Sequence, residues 1–84
     1  MSDSETAAFV TVVLHAQLAR YAGGRERVEL RHHAGLTIAD YVRLLRIPKH
    51  EYYAVIRDGR VTTDLSVEPV VGEVIELLPA VSGG

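Results

Sequence analysis

Hydrophobic and polar residues alternate from the ninth position. In FVTVVLHAQL (residues 9–18), Val10, Val12, Leu14 and Ala16 fall on one face, and Thr11, Val13 and His15 on the other. β-branched residues in this alternation predict a strand. Val13 on the second face predicts a strand partly covered on both sides, hence central. The period then changes. Leu18, Ala19 and Ala22 suit a short helix, which Gly23-Gly24 can cap. Arg27/Glu29 against Val28/Leu30 predicts a half-exposed strand, and residues 31–36 a loop. TIADYVRLLRIP predicts a helix over 37–47: Thr37 and Asp40 form a capping-box-like pair, Ile38, Tyr41, Val42 and Leu45 make one apolar stripe, and Pro48 stops it. Asp58-Gly59 inside YAVIRDGRVT (53–62) predicts a two-residue hairpin. After Pro69 and Gly72, EVIELL (73–78) predicts the last strand, with Ile75 and Leu77 in the core because Glu76 belongs outside.

The order strand, short helix, strand, helix, hairpin, strand describes an α+β domain with one amphipathic helix across a small mixed sheet. Pairing the first two strands, with the last strand beside the first, gives a β-grasp. Periodicity alone permits a ferredoxin-like arrangement as well. With 84 residues, 48% hydrophobic and 24% charged, the chain has room for one folded domain. The absence of cysteine excludes disulfides, thiolate metal sites, iron–sulfur clusters and cysteine nucleophiles, and fits a reducing, cytoplasmic location. A net charge of −2 without a basic block argues against nucleic acid as a partner. Apolar runs far shorter than the roughly 20 residues of a membrane helix argue against a membrane. Residues 1–7, acidic and polar, read as a disordered N-terminal tail, 8–78 as the folded domain and 79–84 as a functional C-terminal tail.

The ending GEVIELLPAVSGG (72–84) resembles that of the ubiquitin-like sulfur carriers of the MoaD/ThiS family: a Gly-acidic turn, a hydrophobic strand, proline, small or apolar residues and Gly-Gly. VLHAQLARYAGGRERVEL is similar to the first strand, helix and second strand of the molybdopterin-synthase branch, and AVIRDGRV to the family's hairpin. The resemblance covers most of residues 10–84 and implies a β-grasp (ubiquitin-like) fold with a four- to five-stranded mixed sheet. Two features depart from it. The stretch between the helix and the hairpin is short, as in thiamine-pathway carriers, and Asp58 stands where Asn is usual.

The resemblance implies that the Gly84 carboxylate is adenylated by an E1-like adenylyltransferase and then converted to a thiocarboxylate by a persulfide-forming sulfurtransferase. The sulfur would pass to an acceptor such as the molybdopterin synthase large subunit. It implies no cofactor bound by this chain and no catalytic side chain of its own; ATP and Mg²⁺ belong to the activating enzyme. The tail suits that route. Adenylation gives a poor electrophile a good leaving group. Gly83 and Gly84 let the backbone enter a narrow site, and Pro79 fixes φ where the tail leaves the sheet. Leu78, Pro79, Val81 and Ser82 are the expected partner-binding residues, and Leu78 is a stronger candidate for an exposed docking patch than Val74.

Other readings stay open. The recipient pathway can be that of molybdopterin, thiamine or cysteine; the chain can be a protein modifier joined to lysines through Gly84; or the glycines can be an idle tail on a β-grasp binding module. His32-His33, His15 and His50 lack metal-ligand spacing. Tyr41, Tyr52 and Tyr53 read as core and edge residues, not base-stacking platforms. Arg43 and Arg46 lie on the helix's outer face.

Overall fold

The computed structural model describes residues 8–80. Its strands are β1 (Phe9–Leu14), β2 (Arg27–Arg31), β3 (Tyr52–Arg57), β4 (Arg60–Thr62) and β5 (Val74–Pro79). They form one mixed sheet in the order β2-β1-β5-β3-β4. β1 is antiparallel to β2 and parallel to β5, with Thr11 opposite Val74 and Leu14 opposite Leu77. β3 closes the other side of β5 in antiparallel fashion. The first and last strands are thus neighbours, as the β-grasp expectation requires, and the sheet has five strands.

Alternation along β1 and β5 sends Val10, Val12, Leu14, Ile75 and Leu77 to one face, all nearly solvent-free. Leu18 joins them from a 3-10 helix (Ala16–Ala22), which ends at Gly23 in the left-handed region, φ 68°. The helix α1 (Ile38–Leu44) closes this face with Ile38, Tyr41 and Val42, and Leu45 packs partly buried beside them. The Tyr41 ring is fully buried, yet its hydroxyl accepts from the His33 N–H at 2.8 Å and lies 3.1 Å from His32 Nδ1. Among the described residues no buried side-chain polar atom lacks a partner.

The start of α1 is satisfied from two sources. The Thr37 hydroxyl accepts from Asp40 N–H, and the Asp40 carboxylate accepts from Thr37 N–H at 2.8 Å. The Thr37 N–H and hydroxyl, both donating to the Asp40 carboxylate, hold it below its ordinary pKa, with Arg43 alongside. The N–H groups of Ile38 and Ala39 donate to the carbonyls of Val67 and Leu65, both at 2.9 Å. The long connection before β5 is therefore stitched to the helix through orphan first-turn donors.

The helix ends earlier than Pro48 would require. Arg46 adopts a left-handed φ of 61°, and the N–H groups of Arg46 and Ile47 reach back to the carbonyls of Arg43 and Val42. This is a Schellman closure with arginine where glycine is favoured. It turns the chain so that Ile47 drops into the core at 4% exposure. In the hairpin, Asp58 (φ 50°) and Gly59 (φ 78°) both take the positive values of a type I′ turn. Behind it, the Glu73 carboxylate accepts from Arg57 Nε and, at 2.9 Å, from its terminal NH₂, and from Val70 N–H at 2.8 Å. Arg57 is the main cause of the lowered Glu73 pKa, opposed by partial burial.

Relief of the left-handed arginine should make Arg46→Gly more stable by about 0.5 to 1 kcal/mol, measured by urea unfolding. Glu73 has a depressed pKa in the folded chain, so its contribution is present above its unfolded pKa and is lost as pH falls through the folded one. The thermal midpoint should therefore drop between about pH 5 and pH 2. That drop should be shallower in Glu73→Gln; an unchanged pH profile would show that the clip contributes nothing.

Candidate functional site

Register places two candidate functional features on β5: its C-terminal end at Pro79 and its share of the open face of the sheet. At the exit, Pro79 lies opposite Tyr52, and the Ala80 N–H donates to the Glu51 carbonyl at 2.9 Å. β1 pairs only as far as Leu77, so Pro79 sits beyond the two-sided ladder, where a missing N–H is tolerated. β3 carries one extra residue here: Tyr52 pairs with Pro79 and Ala54 with Leu78, leaving Tyr53 unpaired and 57% exposed. The Glu51 carboxylate accepts from Arg20 at 3.0 Å and lies 3.5 Å from His50 Nε2. The Ala80–Glu51 backbone bond ties the end of β5 to the segment that precedes β3.

On the open face, opposite α1, cross-strand partners bring together Thr11 and Val74, then Val13, Glu76, Ile56 and Val61, then Leu78 and Ala54. Phe9 extends the same face of β1. Val74 and Phe9 are each 41% exposed, while Val13, Ile56 and Leu78 are half-buried. The one carboxylate within this strip, Glu76, is met by His15 Nε2 at 2.8 Å. An apolar strip with a satisfied charge in it and Arg27, Glu29 and Arg31 along its β2 border is suited to desolvation against a partner.

Of the sequence-predicted site residues, the structure places Leu78 and Pro79 together at the end of β5. Val81, Ser82, Gly83 and Gly84 lie outside the described residues. Val74 is more exposed than Leu78, the reverse of the expected order: Leu78 has Ala54 of β3 opposite it, whereas the β3 ladder ends at Ile75 and leaves Val74 with β1 alone beside it. Phe9, Val13, Ile56 and Val61 extend the patch beyond the sequence reading. For Val13 and Ile56 the signal was the paired apolar positions Val12-Val13 and Val55-Ile56, which send one side chain to each face.

A groove lined by Arg57, Arg60, Val70, Val71 and Val74 lies at the end of β5 opposite Pro79. Among the described residues, no three His, Cys, Asp or Glu side chains are placed to hold a metal ion, and no helix is long and apolar enough to cross a membrane.

The architecture has solved counterparts. The HVO 2177 protein of Haloferax volcanii is similar with a TM-score of 0.71 at 18% identity, over 93% of this chain and 88% of that one. Small archaeal modifier protein 1 of H. volcanii gives 0.68 at 23% identity, over 88% and 99%. A candidate molybdopterin converting factor, subunit 1, from Pyrococcus furiosus gives 0.67 at 19%, again over 88% and 99%. No curated protein matches the chain significantly. At these identities the likeness establishes the ubiquitin-like fold. The model of the ThiS family matches residues 12–84, from the first strand through the glycine tail, and the chain belongs to the ThiS family of ubiquitin-like sulfur carriers and modifiers.

Proposed function

We propose that this chain is a sulfur carrier that works through its Gly84 carboxylate. An E1-like adenylyltransferase joins that carboxylate to the α-phosphate of ATP with Mg²⁺, releasing pyrophosphate. A persulfide sulfur on a sulfurtransferase displaces AMP, and a thiol cleaves the resulting acyl disulfide to leave the thiocarboxylate. The acceptor we favour is a molybdopterin synthase large subunit. The observation that carries the reading is the anchored exit: β5 is held by β1 as far as Leu77 and by β3 as far as Pro79, and the Ala80–Glu51 bond lies just before the Val81–Gly84 segment in the chain. A rigid body with a short glycine-ended extension presents one carboxyl group to successive enzymes at little ordering cost. The open-face strip supplies the body contact, and no side chain of this chain is required for acid–base chemistry.

A second reading, as a protein modifier, draws support from the likeness to small archaeal modifier protein 1. It shares the adenylation step and differs in the product, an isopeptide bond to a lysine of another protein.

Intact-mass and C-terminal fragment spectra of protein isolated from its own cells separate the two. Exchange of one oxygen for sulfur, confined to the last fragment and blocked by a thiol alkylator, is expected; fragment localisation distinguishes it from Met1 oxidation. High-mass conjugates without thiocarboxylate would select the modifier, and an untouched acid would leave neither reading standing. Deleting Gly84 should abolish activation and leave the thermal midpoint nearly unchanged. Val74→Asp should weaken binding to the activating enzyme about tenfold or more, with a stability change of about 0.5 kcal/mol or less. Leu78→Asp should lower both binding and stability. Equal binding by Val74→Asp and the parent chain, measured by titration calorimetry, would remove the open face from the interface.

A further inference from the structure

The ladder between β1 and β2 has a definite phase. Leu14 N–H donates to the Glu26 carbonyl and His32 N–H to the Ala8 carbonyl, both at 2.8 Å. Hydrogen-bonded pairs alternate along an antiparallel ladder, so Val12–Val28 and Val10–Leu30 are the bonded pairs between them. The N–H and C=O groups of Arg27, Glu29 and Arg31 therefore point the other way, off the edge of the sheet. β2 is an outer strand with β1 as its neighbour, and an open edge of this kind is a template for another strand. The three side chains are exposed, and none of the ion pairs among the described residues uses them. β4, the other outer strand, is only three residues long.

Charge decides which strand fits. An edge guarded by charges of one sign repels a copy of itself, but here Glu29 stands between Arg27 and Arg31. Three antiparallel, two-fold pairings of β2 with a second copy overlap the strand most. With the axis at Glu29, Glu29 meets Glu29 and Arg27 meets Arg31, all like charges. With the axis at Val28, Arg27 meets Glu29, but Arg25 then faces Arg31 and Glu26 faces Leu30. With the axis at Leu30, Glu29 meets Arg31 twice. Leu30 then meets Leu30, and Val28 meets His32, on the face that carries the core. Bonding ends at Arg31 in this register, because the next outward N–H, that of His33, already donates to the Tyr41 hydroxyl.

We infer that β2 is a self-association edge, at which two copies of this chain join antiparallel about a two-fold axis at Leu30. Glu29 of each copy exchanges both main-chain bonds with Arg31 of the other, and their side chains pair on the same face. Two five-stranded sheets thereby become one. The joint lies in the plane of the sheet, so it covers neither the open-face strip nor the Pro79 end of β5. Exposed pairs contribute little each, so the dimer is weak and reversible, and its population follows concentration. The inference rests on the edge alone and is independent of the sulfur-carrier reading.

Sedimentation velocity on the full chain, from about 1 µM to about 1 mM, tests it without any other protein. The weight-average mass of the parent chain should climb from monomer towards dimer across that range. Glu29→Arg and Arg31→Glu should each weaken association at least about tenfold by setting like charges opposite one another. Arg27→Glu should shift it by about twofold or less. Mixed in equal amounts, the Glu29→Arg and Arg31→Glu chains should associate again, because each then supplies the charge the other lacks. That rescue rules out misfolding as the cause of the loss. A chain carrying both substitutions should likewise recover the parent's behaviour. A parent chain that stays monomeric throughout, a dimer indifferent to Glu29→Arg, one lost equally in Arg27→Glu, or a mixture that fails to associate would each overturn the inference. None of these results bears on the chemistry proposed for Gly84, which the mass spectra test separately.

Discussion

The ladder that sets Thr11 opposite Val74 and Leu14 opposite Leu77 joins the first strand of the chain to the last. It makes β1 and β5 adjacent inner strands of the sheet, buries Val12 beside Ile75, and leaves β2 to close one flank and the β3–β4 hairpin the other. Because the two strands are parallel, it also fixes polarity: the chain enters at one end of the sheet and exits at the other. Parallel pairing across nearly a whole domain carries a large closure entropy. The other contacts, including the capped helix, the Glu73–Arg57 clip and the bonds to Val67 and Leu65, shorten the loops that this closure would otherwise leave free.

Several parts of this arrangement were legible in the residues because a side chain decides them. Thr37 and Asp40 cap α1, Asp58-Gly59 makes the I′ turn, and Glu76 between Ile75 and Leu77 sets which face of β5 is buried. The topology was not legible from periodicity, since the alternation that makes β5 a strand is silent on its neighbour; the family resemblance singled it out. The helix end was missed for a different reason. A left-handed arginine at position 46 is costly, and it persists because burial of Ile47 and two backbone bonds offset the cost. Bonds from Ile38 and Ala39 to loop carbonyls have no signature, because backbone groups are common to every residue.

The site divides in the same way. Of the proline-to-glycine motif read in the sequence, Pro79 stands at the end of β5, and the glycines lie outside the described residues. The open face was only half legible: Val74 and Leu78 could be assigned to it from β5 alone. Phe9, Val13, Ile56 and Val61 join them only once four strands are in register. The bulge at Tyr53 then shelters Leu78 against Ala54. Exposure on a sheet face is a property of neighbours, which a single strand does not encode.

The position of β5 has a consequence for synthesis. Ile75 and Leu77 are both core residues and among the last parts of the fold to leave the ribosome. A chain cut before Val74 lacks the strand between β1 and β3, and its remaining strands cannot make one continuous sheet. Prematurely terminated products therefore stay open to proteases. The folded body thereby acts as proofreading for the message: a shape that survives was translated at least through β5.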